Sequence, residues 1–139
     1  MKIREAELSD VQAISNLAQS LSEKYVTPEF HVDARDAFLK SMTADGINQL
    51  IASGLRYHVA EINGNIVGIV GMKGNQHLYH LFVDESFQRK GIARQLWNTA
   101  MQSCKAAGNP GEYTVNSSRY AQRVYESCGF VAQSAPHER

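Results

Sequence analysis

The sequence is short of most residues that would mark it as unusual. It has two cysteines, three prolines and one tryptophan in 139 residues, and its 14 basic and 14 acidic side chains cancel. Each shortage excludes something. Cys104 and Cys128 are far apart, form no C-x-x-C and sit inside helical patterns. They therefore read as buried small hydrophobes and not as a disulfide or a metal pair, and no metal is expected. No apolar run approaches the roughly 18–20 residues that span a bilayer. The opening MKIREAELSD carries charge where a secretory leader needs an apolar stretch, so a cytoplasmic protein with no membrane partner is expected. A chain without net charge lacks the basic excess of a duplex-DNA binder, which sets nucleic acid aside. Two phosphate-binding signatures are also missing, G-x-x-x-x-G-K-[ST] and G-x-G-x-x-G. What remains is ordinary globular material: 43% hydrophobic residues and a length that fits one domain over residues 1–139.

Periodicity divides the chain into elements. Lys2–Ala6 predicts a short strand. Ser9 and Gln12 fit an S-x-x-Q capping box, and Val11, Ile14, Leu17, Ala18 and Leu21 follow at helical spacing. Thr27-Pro28 interrupts, and Phe38 to Ile51 suggests one broken helical region ending at Gly54. Tyr57–Ile62 and Ile66–Met72 are β-rich runs joined by Asn63-Gly64-Asn65, a strong hairpin signal. A third run, His77–Val83, completes an antiparallel meander. Gly91 opens a helix with Ile92, Leu96, Ala100, Met101 and Cys104 on one face, stopped at Gly108-Asn109-Pro110. Glu112–Asn116 predicts a strand, Tyr120 to Cys128 a helix closed by Gly129, and Phe130–Gln133 a last short strand. This order is mixed α/β around one sheet.

The stretch Leu81-Phe82-Val83-Asp84 through Gln88-Arg89-Lys90-Gly91-Ile92-Ala93-Arg94 runs strand, turn, helix N-terminus. Backbone N–H groups at a helix start have no intrahelical partner and lie at the positive end of the macrodipole, so they bind phosphates. Gly91 and Ala93 are small enough for close approach, and Arg89, Lys90 and Arg94 add cations. The ligand this pattern predicts is a diphosphate.

Gln88-Arg89-Lys90-Gly91-Ile92-Ala93 resembles the Q/R-x-x-G-x-G/A pyrophosphate motif of the GCN5-related N-acetyltransferase (GNAT) superfamily, and Leu81–Asp84 resembles the strand leading into it. Thr114-Val115-Asn116-Ser117-Ser118-Arg119-Tyr120-Ala121 through Val124-Tyr125-Glu126-Ser127-Cys128-Gly129-Phe130 resembles the family's later strand–helix segment. The likeness is sharp over Leu81–Phe130 and only topological before it. It implies an α/β acyl-CoA N-acyltransferase fold: a mostly antiparallel sheet, a splayed parallel pair, and helices on both faces. It also implies acetyl-CoA as co-substrate and an amine as acceptor. The pantetheine arm would pair with the backbone of Leu81, Phe82 and Val83, as an added strand does. The pyrophosphate would sit on the amides of Gln88–Arg94. Asn116 would bond the pantetheine, Ser118 stands where the family often has asparagine, and Tyr120 would wall the site.

Aminolysis of a thioester needs a deprotonated amine, donors for the oxyanion, and an acid for the leaving thiolate. Tyr125 matches the family's general-acid tyrosine; its ordinary pKa of about 10 lets it deliver a proton without being ionised at neutral pH. The base stays open between His77, which stands where some members carry a catalytic glutamate, His80, and a water chain. Strict alternation puts His77, Tyr79 and Leu81 on one strand face and Leu78, His80 and Phe82 on the other. Glu29, His31 and Asp33 fall where members build the acceptor pocket; a solvated loop is the competing reading. Ser134–Arg139 is polar and broken by Pro136, so the family's long final strand has no run here, and a homodimer through that end is expected. A non-catalytic acyl-CoA-binding module of the same fold is the alternative to an enzyme.

Overall fold

The computed structural model describes residues 1–25, 31–109 and 113–115. In chain order the elements are β1 (Lys2–Glu5), a 3₁₀ turn (Leu8–Asp10), α1 (Val11–Tyr25), α2 (Val32–Lys40), α3 (Ala44–Ala52), β2 (Leu55–Ile62), β3 (Asn65–Lys73), β4 (His77–Val83), a second 3₁₀ turn (Glu85–Phe87), α4 (Ile92–Ala106) and β5 (Thr114–Val115). The five strands form one sheet in the order β1-β2-β3-β4-β5. The first three pairings are antiparallel and β4–β5 is parallel. This is the expected mixed sheet with helices on both faces. The predicted helix and strand after Asn116, with Cys128, Gly129 and the Ser134–Arg139 tail, lie outside the described residues.

Two apolar layers sandwich the sheet. α1 and α3 cover one face through Val11, Ile14, Leu17, Ala18, Leu21 and Ile47, packed on Tyr57, Val59, Ile69 and Phe82. α4 covers the other through Ile92, Leu96, Trp97, Ala100 and Cys104, packed on Val67, Val70, Leu78, Leu81 and Val83. The hairpin signal is realised as a tight turn: Asn63 and Gly64 both take positive φ, +53° and +80°, which a type I′ turn requires. Among the described residues no helix is long and apolar enough to cross a membrane.

Two expectations are corrected. The cap of the first helical segment is not Ser9 with Gln12. Asp10, one turn inside the segment, accepts from the Glu7 N–H at 2.7 Å, because the chain enters through a 3₁₀ turn that begins at Leu8. Arg4 then locks this corner by donating to Asp10 and to Glu61. The Phe38–Ile51 region is two helices, separated where Thr43 caps α3 by accepting from Gly46 N–H.

Candidate functional site

The phosphate-type turn is built by the end of β4 and the start of α4. Gly91 is the N-cap of α4 with φ +80°, a left-handed conformation that costs a residue with a Cβ about 1–2 kcal/mol. Having no side chain, Gly91 leaves the helix start without a side-chain cap. The Gln95 N–H reaches back to the Gly91 carbonyl at 3.1 Å, so the amides of Ile92, Ala93 and Arg94 precede the first intrahelical bond. Arg89, Lys90, Gly91 and Arg94 are exposed, while Ile92 is buried and pins the turn to the α4 core. Arg89 also has positive φ, +64°; strain of this kind collects at functional turns. Lys90 Nζ lies 5.3 Å from the centroid of the Phe87 ring, a cation–π contact that directs the ammonium. Gln88 Nε2 donates to the Val83 carbonyl at 2.9 Å, closing the turn back onto the strand; the carbonyl keeps a second lone pair.

The strand leading in is not regular. β3 and β4 pair Gly71 with His80 and Met72 with Leu78. One residue of β4, Tyr79, therefore has no partner across the ladder, which is a bulge. The bulge overturns strict alternation. Leu78, Leu81 and Val83 enter the α4 core, whereas Tyr79 and Phe82 pack on the α1 side. His80 joins them there, with its ring 4.7 Å from Tyr79 and 5.6 Å from Phe82 by centroids. Tyr79 and His80 thus share a face that the simple period assigned to only one of them.

The two histidine candidates sit in different surroundings. His80 is buried, and burial pulls its imidazole down to about 3. Its Nδ1 lies 2.9 Å from the Tyr57 hydroxyl, whose phenol burial holds above its ordinary range, with Tyr79 adding to the effect. His77 is half-buried at the β4–β5 junction. It is the direct ladder partner of Thr114, and its Nδ1 lies 2.7 Å from the Thr114 hydroxyl. Its ring stands nearly perpendicular to that of Tyr79, with centroids 6.4 Å apart.

Leu81, Phe82 and Val83 are buried at the end of β4 and Gln88 to Arg94 form the turn after it, so the structure joins these residues into one continuous feature. His77 stands at the other end of β4, about 20 Å of strand away. Asn116, Ser118, Tyr120 and Tyr125 lie outside the described residues, as do Glu29 and the side chain of Asp33. His31 is exposed at the N-cap of α2. Among the described residues no group of three or more His, Cys, Asp or Glu side chains could hold a metal. Tyr57, Gly71 and Thr114 escaped the sequence reading. The one available signal was Gly71, since a glycine inside a strand marks close approach of a neighbour.

Known proteins fit this arrangement. The family model of the acetyltransferase (GNAT) domain matches residues 17–139. The chain belongs to the GNAT acetyltransferase family. Its fold is shared by the PaiA N-acetyltransferase of Thermoplasma acidophilum, solved in complex with coenzyme A: TM-score 0.77, 14% identity, over 95% of this chain and 90% of that one. It is shared by a GCN5-related N-acetyltransferase of Rhodopseudomonas palustris, with TM-score 0.78 and 17% identity over 96% and 82%. A predicted acetyltransferase of Clostridium acetobutylicum, solved with acetyl-CoA, gives TM-score 0.70 and 17% identity over 99% and 94%. No curated protein matches the chain.

Proposed function

We propose that the protein is a single-domain N-acetyltransferase that moves the acetyl group of acetyl-CoA to a primary amine by direct attack. The observation that carries this is the α4 N-terminus, with its amides open at Gly91 and three cations around it, at the end of a core strand in a chain of the GNAT family. Two fold neighbours solved with coenzyme A or acetyl-CoA support the choice of donor.

In this reading the diphosphate takes the amides of Gln88–Arg94, with Arg89, Lys90 and Arg94 neutralising it. The pantetheine arm runs back along Leu81–Val83 and meets Asn116, Ser118 and Tyr120. Main-chain N–H groups of Leu81–Val83 stabilise the oxyanion as the amine adds to the thioester carbon. Tyr125 gives its proton to the departing thiolate. His77, about 20 Å of strand from Val83, receives the proton of the attacking ammonium through a chain of water molecules. It suits that task better than His80, because a solvent-starved imidazole with a pKa of about 3 is too weak a base at neutral pH.

The test is release of free coenzyme A from acetyl-CoA with polyamines, aminoglycosides, amino acids and peptides as acceptors. An acceptor that raises release well above hydrolysis is expected. Tight acetyl-CoA binding with no acceptor in the panel active would favour the non-catalytic module. A homodimer belongs to the same proposal, and light scattering of a strict monomer at high micromolar concentration would remove it.

A further inference from the structure

Tyr57, Gly71 and His80 form one row across three strands: Tyr57 pairs with Gly71 on β3, and Gly71 pairs with His80 on β4. The middle residue has no side chain, and the Tyr57 ring fills that place. A Cβ on Gly71 would stand 2.6 Å from the Tyr57 ring. The tyrosine therefore passes over β3 and bonds, through its hydroxyl, the His80 ring two strands away. Both partners are nearly closed to solvent, Tyr57 4% and His80 5% exposed. Burying a phenol and an imidazole is unfavourable unless they satisfy each other, and apolar side chains would fill the same volume without that penalty. What the polar pair adds is a geometric condition.

That condition falls on the bulge. His80 is the residue immediately after the unpaired Tyr79. If β4 paired regularly, Tyr79 would take Met72 as partner, and the strand before it would turn over, carrying Leu78 out of the α4 core. A slip that instead moved His80 by one place would turn its ring to the α4 face and break the bond to Tyr57. Only the bulged register satisfies Leu78 and His80 together.

We propose that Tyr57 is a positioning residue for the acetyl end of the site: its hydroxyl, reaching His80 over Gly71, fixes the β4 bulge at Tyr79 and so the phase of the main chain that receives the thioester. The inference rests on the proposed reading of β4 as the strand that takes acetyl-CoA. Neither Tyr57 nor His80 needs to touch substrate for this role.

The test is Tyr57→Phe, which keeps the ring and removes the hydroxyl, measured in two ways on the whole protein. Amide hydrogen exchange should quicken at least tenfold at Tyr79, His80 and Leu81 and stay unchanged at Leu96 and Ala100 in α4. By calorimetry, the affinity for coenzyme A should stay within twofold, while the ratio of acetyl-CoA to coenzyme A affinity shifts at least threefold. Unchanged exchange in β4, or exchange that quickens equally in α4, would overturn the proposal, because the hydroxyl then holds nothing local. Localised exchange with an unchanged affinity ratio would overturn its functional half. If wild-type protein bound neither coenzyme A nor acetyl-CoA, the acetyltransferase reading would fail and take the functional half with it, while exchange would still decide whether the row holds the bulge.

Discussion

Replacing Gly91 separates the fold from the proposed cofactor site. Its φ is +80°, and a Cβ built there meets nothing within 4 Å. The structural penalty of any side chain is therefore conformational and not steric. A left-handed residue with a Cβ costs about 1–2 kcal/mol, and the stiffer unfolded chain returns about 0.4–1 kcal/mol. Gly91→Ala should thus lose about 1 kcal/mol, or roughly 4 °C in Tm for a chain of this size. Gly91→Glu carries the same penalty and adds a carboxylate beside the bound diphosphate. Two unit charges 4 Å apart repel by about 4 kcal/mol at an effective dielectric of 20. The turn is exposed, and solvent and salt reduce that figure to about 2 kcal/mol. At 1.4 kcal/mol per tenfold, Gly91→Glu should bind coenzyme A about 30-fold more weakly than Gly91→Ala, with equal Tm. Calorimetric titration of both variants with coenzyme A reads the difference. Binding within threefold of each other would mean that the diphosphate does not sit at this helix start.

Leu96→Ala should destabilise the domain by about 3–5 kcal/mol in chemical denaturation, since Leu96 is fully buried and packs over Gly68 in the α4 core. Asp10 supplies a pH test. The Arg4 guanidinium, aided by the Glu7 N–H, holds the Asp10 carboxylate below its ordinary value of 3.8. Its contribution is therefore complete above pH of about 4 and is lost as pH falls further toward the folded value. The Tm of wild type should drop more steeply below pH of about 4 than that of Asp10→Asn; parallel curves would refute the ion pair's part. Tyr125→Phe should lower turnover at least about tenfold with acetyl-CoA affinity within a few-fold, and wild-type turnover would remove the tyrosine as acid.

The sequence carried the elements well because their signals are local. The Asn63-Gly64 turn needs two positive φ values and has residues that tolerate them. The spacing of Ile92, Leu96, Ala100 and Cys104 is one helix face, and all four are buried. The run His77–Val83 is the observed strand to the residue. What escaped was non-local. A bulge leaves no mark in period-2 counting, since the extra residue is defined only by what stands across from it on β3. Period-2 alternation therefore separates Tyr79 from His80, although the two rings pack 4.7 Å apart. The reach of Tyr57 to His80 depends on the bare Gly71 opposite it on β3, which no local pattern encodes. Thr114 had no visible bearing on His77, because parallel partners 37 residues apart are joined only by the sheet. At the entry of α1 the failure was of another kind. The observed box is Glu7 with Asp10, two residues before the Ser9–Gln12 pair, and Asp10 is also held by Arg4 of β1.

Net neutrality argues against a polyanion as partner, yet the proposed donor is itself strongly anionic. The two agree because the charges near Gly91 are sorted by what already engages them. Asp84, just past the end of β4, spends a carboxylate oxygen accepting the Ser86 N–H. Glu85 is bound by Lys24 of α1 at 2.8 Å. Asp84 is thus tied to the Glu85–Phe87 turn and Glu85 to α1, whereas Arg89, Lys90 and Arg94 stand exposed around the open amides. Formal charge over the whole chain is the wrong variable for a small ligand, because screening confines each charge's reach to about 8–10 Å at ordinary ionic strength. Within that radius the turn is basic, and because the whole chain sums to zero the compensating acids lie elsewhere. A duplex would need the positive field to continue along a face, which a three-cation turn on a neutral domain does not provide. A single diphosphate needs only the turn.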